Sequence, residues 1–258
     1  MRGKILFVVL MTFVVFIDVA LGDKEDEISL MKERFFEMVG NKSKVELMTD
    51  EQYREKVAEE VIQRFKELNI LEDQYLVFVD RNPKKQLIFV LSFDADAQRL
   101  VEIGRDRVST GNPRKGKDYF LTPTGIFKNS LENFGYRALG TKNEKGWRGL
   151  GKKGSRVWDF GWQKTEKVVK GKKQQFVIRL LMHATDPNFG EPRLGNVDSK
   201  GCIRISGKLN EFLDRFGILD GDYEENNHKK STQWLLRKDR ESVKYLGKYL
   251  IISDSAQW

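Results

Sequence analysis

Apolar positions follow three regimes along the chain. Ile5 to Ile17 is an unbroken apolar run. From 23 to about 70 the apolar residues recur every three or four positions: Ile28, Met31, Phe35 and Met38, then Tyr53, Val57, Val61, Phe65 and Leu68. That spacing places each set on one face of a helix, so two helices are predicted across 23–72. The second is expected to begin at Thr49, because Thr49 and Gln52 have capping-box spacing. The helices either pack on the domain that follows or form a separate partner-recognising module, and the pattern leaves both open.

At Tyr75 the period changes. YLVFVD and QLIFVLSF are short runs of aromatic and branched residues parted by Arg81-Asn82-Pro83-Lys84-Lys85, which predicts a hairpin, with a third strand over Leu100 to Val108. Successive strands with short connections point to an antiparallel sheet in a sandwich or partly closed barrel, not to a βαβ fold. Residues 111–172 include GWRGLGKKGSRVWDFGW, too rich in glycine for a long helix, and are expected to be irregular strand and loop. Phe176 to Met182 has the composition of a buried strand. Leu209, Phe212, Leu213 and Phe216 predict a short amphipathic helix over 208–216, ended by Gly217, and Tyr249 to Ile252 predicts a last strand. The fold class expected is mainly β, preceded by a helical segment.

Composition narrows the class. With 258 residues, 40% hydrophobic and 33% charged, the chain suffices for one sizeable domain plus an appendage and is not wholly disordered. Arg2 and Lys4 precede the first apolar run, and Ala20-Leu21-Gly22 supplies small residues after it, so 1–22 is predicted to be a cleaved secretory signal. At thirteen residues the run is shorter than the roughly 20 a membrane span needs. An uncleaved anchor is the alternative; a lipid-accepting cysteine does not follow the run. The expected location is therefore the periplasm or the cell wall. The net charge of +8 draws an exported protein to polyanions, of which a wall or membrane surface is the accessible kind and nucleic acid is not. The clusters Lys152-Lys153, Lys172-Lys173 and Lys229-Lys230 are taken as solvated loop tips.

Export changes the meaning of the single cysteine, Cys202, which has no internal disulfide partner and is expected to be a reactive thiol. A thiol is nucleophilic as thiolate and needs a base or a positive field nearby. His183 closes the apolar run 176–182 and would be held on a rigid strand. A loop rich in Asp, Asn, Gly and Pro then returns the chain to Ser199-Lys200-Gly201-Cys202, with Arg204 beyond it. Gly201 permits close backbone approach, and the amides of Gly201 and Cys202 are candidates to face an oxyanion. The second histidine, His228, lies among Asn and Lys and is read as a solvated loop residue.

The run HATDPNFGEPRLGNVDSKGCIRI resembles the signature of the L,D-transpeptidases with a YkuD-type catalytic domain: a histidine, about fifteen residues, then Ser/Thr-His-Gly-Cys, an apolar residue and Arg or Asn. VSTG at Val108–Gly111 and TPTGIF at Thr122–Phe127 match in the expected order, and the likeness spans roughly 73–220. Lys200 departs from it, standing where most members have a second histidine, as does Ala184, where glycine is common. Lys200 is no base at neutral pH, so that role rests on His183. The resemblance implies a catalytic domain over 73–255, of antiparallel sandwich or partly closed barrel type with a short helix after Cys202, and a cleft for which Trp158 and Trp162 are candidate lining residues. It also implies peptidoglycan stem peptides as donors. Cys202 would be the nucleophile and His183 the general base and acid, with Ser199, Lys200, Gly201 and Arg204 in the oxyanion or substrate site. The acceptor would be a neighbouring stem amine, a wall-linked protein amine or a free D-amino acid, with no metal or organic cofactor and with carbapenems as expected inhibitors. Water as acceptor would make a carboxypeptidase, and loss of catalysis a wall-binding protein of the same fold.

Overall fold

The computed structural model describes residues 22–40 and 50–258. The predicted signal segment, Gly22 excepted, and Thr49 lie outside them. Helix α1 covers 22–38 and α2 runs Glu51–Glu67. The α2 N-cap is Asp50, whose carboxylate accepts from the Tyr53 amide at 2.8 Å, so the cap falls one residue after the position expected from the Thr49–Gln52 spacing. Leu68, expected on the apolar face, is the C-cap and is exposed; the helix has ended where the face would have continued.

Strands β1 (Gln74–Asp80), β2 (Leu87–Asp94), β3 (Arg99–Arg107), β4 (Gly125–Lys128) and β9 (Tyr249–Ser253) form one sheet in the order β3-β2-β1-β9-β4. Strands β5 (Tyr136–Arg137), β6 (Arg156–Val169), β7 (Lys172–Ala184) and β8 (Ile203–Ile205) form the other in chain order. The antiparallel expectation fails at two joints, for β1 pairs parallel with β9 and β7 parallel with β8. In each case the chain returns by a long connection instead of a hairpin, which is what parallel pairing requires. Among the described residues the fold is mixed α/β, with two sheets, five helices and no closed barrel, so mainly β holds only roughly.

The sheets face each other across one core. Val77, Val79, Val90, Leu250 and Ile252 meet Trp158, Leu180, Met182, Ile203 and Ile205 there. Helix α3 (Gly207–Arg215) and α1 fill its edge, with Phe35 set edge-on to Phe212 at 5.1 Å. Gly104 on β3 makes room, since a Cβ there would lie 2.2 Å from the Phe35 ring. Lys24 anchors α1 to the sheet through Asp73 at 2.6 Å and Asp94 at 3.0 Å. The opposite face of the first sheet carries Leu76, Phe78, Phe89 and Phe93, covered by Val57, Val61 and Phe65 of α2. β1 and β2 are thus buried on both faces, which is why they read as continuous apolar runs.

The expectation of irregular chain across 111–172 needs correction. Residues 156–184 are a long hairpin of two strands, 14 and 13 residues. Its glycines serve the hairpin itself: Gly161 (φ +76°) sits in the bulge between Asp159 and Trp162, and Lys170-Gly171, both at positive φ, make the turn.

Candidate functional site

Three separated sequence motifs meet in one hydrogen-bonded knot around Cys202. Ser109 and Arg204 exchange both backbone bonds at 2.9 Å, and the Thr110 carbonyl accepts from the amides of Asp198 and Ser199. The buried Thr122 hydroxyl accepts from the Gly111 amide and donates to the Gly201 carbonyl, each at 2.8 Å. No side chain fits at Gly111, where a Cβ would stand 2.0 Å from the Phe120 carbonyl oxygen. Gly201 has φ +130° and abuts Ile178. Ser199 closes the loop: its hydroxyl accepts from the Gly201 amide at 3.0 Å and donates to the Cys202 carbonyl at 2.5 Å. The Gly201 amide, a candidate oxyanion donor by sequence, is therefore occupied; the Cys202 amide turns toward its own sulfur.

Strand register decides which side chains share a face. His183 stands opposite Arg204 on β8 and opposite Val157 on β6, Leu181 opposite Asp159, and Tyr136 opposite Val157. Leu180 and Met182 point into the core, so Leu181 and His183 face away from it, together with Tyr136, Asp159, Cys202 and Arg204. Cys202 precedes β8 and lies beside Leu181, whose amide is directed at the sulfur. His183 and Cys202 are thus neighbours on one face, one register step apart, and are not hydrogen-bonded to each other.

Burial sets their protonation. His183 is 3% exposed. Its Nδ1 lies 2.6 Å from the Ala184 carbonyl, which can only accept, so Nδ1 carries the proton and Nε2 keeps its lone pair. Desolvation pulls the imidazole down to about 4, with Arg204 adding to the fall. It also pushes the Cys202 thiol up, partly countered by the Leu181 amide and Arg204 and reinforced by Asp159. At neutral pH the resting pair is a neutral imidazole and a neutral thiol, not a preformed ion pair. Lys200 is exposed, its Nζ 5.7 Å from the Tyr119 ring centroid, and it is not among the charges acting on the sulfur.

Residues 138–155 form a flap over this end of the sheet. The Arg148 amide donates to Asp186 at 2.8 Å. Trp147 stacks on Phe189 at 5.6 Å and 8°, with the Arg193 guanidinium on the same indole at 5.0 Å. A cleft of about 540 Å³ opens between flap and β5, lined by Tyr136, Leu139, Asn143, Trp147 and Leu150. Trp158 is fully buried in the core, whereas Trp162 is 67% exposed on the face that carries Cys202. His228 is exposed on a turn, as expected.

Three members of this face were not singled out by sequence: Tyr136, Asp159 and Arg179. Arg179 binds the fully buried Asp159 carboxylate through Nε and Nη2, both at 2.6 Å. The Tyr136 phenol is pushed up by burial, then by Asp159 and Cys202. Alternation along β6 and β7 could have grouped them, but the bulge at Gly161 breaks the period at the place where it matters. Compared with known proteins, the chain matches no family model and no curated sequence.

Proposed function

We propose that the protein is an exported cysteine acyltransferase of the L,D-transpeptidase type, with a YkuD-type catalytic domain, acting on peptidoglycan stem peptides. The observation that carries this reading is the joint placement of His183 and Cys202 on one sheet face, with the imidazole held by the Ala184 carbonyl so that Nε2 is a base. In the first step Sγ adds to the carbonyl of the stem's L-centre as its proton passes to Nε2. The developing oxyanion takes the Cys202 amide and the Tyr136 hydroxyl as donors, since the raised phenol stays protonated. Collapse breaks the C–N bond, the imidazolium protonates the leaving D-amino acid, and a thioester remains. An acceptor amine then attacks the thioester, gives its proton to His183, and releases Cys202 as the thiol. The rise in the thiol and the fall in the imidazole both disfavour idle charge separation, so proton transfer and attack are coupled to substrate arrival.

Purified tetrapeptide muropeptide incubated with the protein and resolved by mass tests the reading. Cross-linked dimer is the expected product, lost by at least about 10³-fold in Cys202→Ser and in His183→Ala alike, because two groups that act in one step do not lose independently. Tripeptide alone would make the protein a carboxypeptidase, and unchanged donor would reject catalysis. A carbapenem is expected to add once to the wild type and not to Cys202→Ser; an adduct retained in the variant would place the nucleophile elsewhere.

A further inference from the structure

Strands β6 and β7 run further than the core requires. Their last residues between the two sheets are Phe160 and Leu180, yet the hairpin continues to Val169 and Lys172. One face of this extension is covered by the 116–121 segment: the Thr165 hydroxyl donates to the Leu121 carbonyl, the Lys167 ammonium to the Lys117 carbonyl at 2.7 Å, and Phe176 packs on Phe120 at 5.2 Å. The other face is bare. There Trp162, Val177 and Val168 are 67%, 58% and 62% exposed, and they stand opposite Arg179, Lys164 and Lys173.

Charge on the extension is as one-sided as its apolar exposure. From 162 to 179 the chain carries six cations and one carboxylate, Glu166. Arg179 is committed to Asp159 and Lys167 to backbone carbonyls. Lys173 lies 3.7 Å from Glu166 but keeps 80% of its side chain exposed, a geometry in which pairing holds little. Lys164, Lys170 and Lys172 have no carboxylate partner among the described residues. Lys172 and Lys173, taken from sequence as solvated loop tips, are strand residues that face Val169 and Val168 across the Lys170-Gly171 turn. Lysines in such places lay their stems along apolar neighbours and lift their ammoniums clear of them. A soluble polyanion would engage the lysines and leave Trp162 and the valines in water. A surface that is anionic on top and apolar beneath takes both.

We infer that the bare face of the β6–β7 extension docks on an anionic lipid surface. Trp162, Val168 and Val177 enter the boundary between head groups and acyl chains, and Lys164, Lys170, Lys172 and Lys173 meet the lipid phosphates. Aromatic rings favour that depth because one part of the ring system is apolar and the indole N–H still finds a partner. The chemistry at Cys202 takes no part, so this inference stands or falls apart from the acyl-transfer reading.

The test is co-sedimentation of the chain 23–258, which contains every residue of the cores described above, with vesicles of phosphatidylcholine alone and of phosphatidylcholine mixed with phosphatidylglycerol, at physiological salt. Wild type is expected to partition onto the mixed vesicles at least about tenfold more strongly than onto the neutral ones. Changing Lys170, Lys172 and Lys173 together to Gln should remove that preference. Val168→Ser with Val169→Ser leaves every charge in place and should weaken binding to the mixed vesicles about tenfold. Brominated phosphatidylcholine in the same vesicles should quench wild-type tryptophan fluorescence, and Trp162→Phe should lose most of the quenching. Thermal melts without lipid are expected to match wild type for all three variants, whose altered side chains lie outside the core. Equal binding to neutral and mixed vesicles, a preference that survives the lysine changes, or quenching undiminished in Trp162→Phe overturns the inference. Binding to polyphosphate in solution as tight as to the mixed vesicles, with the valine variant unimpaired on both, would make the face a polyanion site and overturn it as well.

Discussion

Burial of His183 ties stability to acidity. Its folded pKa is about 4 against 6.5 for the free side chain, so between those values the unfolded chain holds a proton that the native one refuses. Stability is unaffected above about pH 6.5, falls as pH drops through the window, and levels off below 4, for a total of about 3 kcal/mol. Urea midpoints of wild type and His183→Gln should therefore converge between pH 7 and 4.5, and parallel curves would contradict a neutral buried imidazole. Lys200, directed over Tyr119, should matter little: Lys200→Ala is expected to lose at most about tenfold in turnover, about 1.4 kcal/mol in the barrier, whereas Arg204→Gln should raise the alkaline midpoint of thiol alkylation. A loss of several orders of magnitude in a folded Lys200→Ala would place the ammonium in the chemistry. That His183 and Cys202 come together was legible because a local motif carries both. Asp159 and Arg179 were not, since their pairing exists only once β6 and β7 are in register around the bulge.

At the scale of elements, Thr122 holds the loop before the cysteine. Thr122→Val keeps the shape and strips the hydroxyl that joins the Gly111 amide to the Gly201 carbonyl, leaving two buried groups unpaired at a cost of about 2–4 kcal/mol. Turnover should fall with it, and Thr122→Ser should restore both; a Val variant as stable as wild type would mean the knot is not a constraint. The sequence placed α2, β1 and β2 well because each has a large buried face or two. It misjudged the β6–β7 hairpin, whose outer half is exposed on one face and covered on the other by the 116–121 segment, which Thr165, Lys167 and Phe176 contact, so that little apolar period is left to read. Parallel joints were equally hidden, because Leu76 finds Tyr249 across most of the chain.

The whole molecule rests on a few interactions that cross its layers. Arg156 and Asp220, 0% and 1% exposed, pair at 3.0 Å beneath Tyr223 and Trp158. Arg156→Met should cost about 3–5 kcal/mol by stranding a buried carboxylate, while removing the exposed Lys173–Glu166 pair should move the melting midpoint little. Comparable losses from both in thermal melts would mean that the pair's burial is not what gives it weight. β9 has a different kind of reach. It is the fourth of five strands across its sheet, between β1 and β4, yet the last strand in chain order among the described residues, so neither neighbour can complete its ladder until that segment is available. Contacts so distant along the chain make the closing step slow. A ribosome that stops short of Tyr249 would release a sheet with its β1 edge bare and β4 detached from it, both ready to pair with other chains.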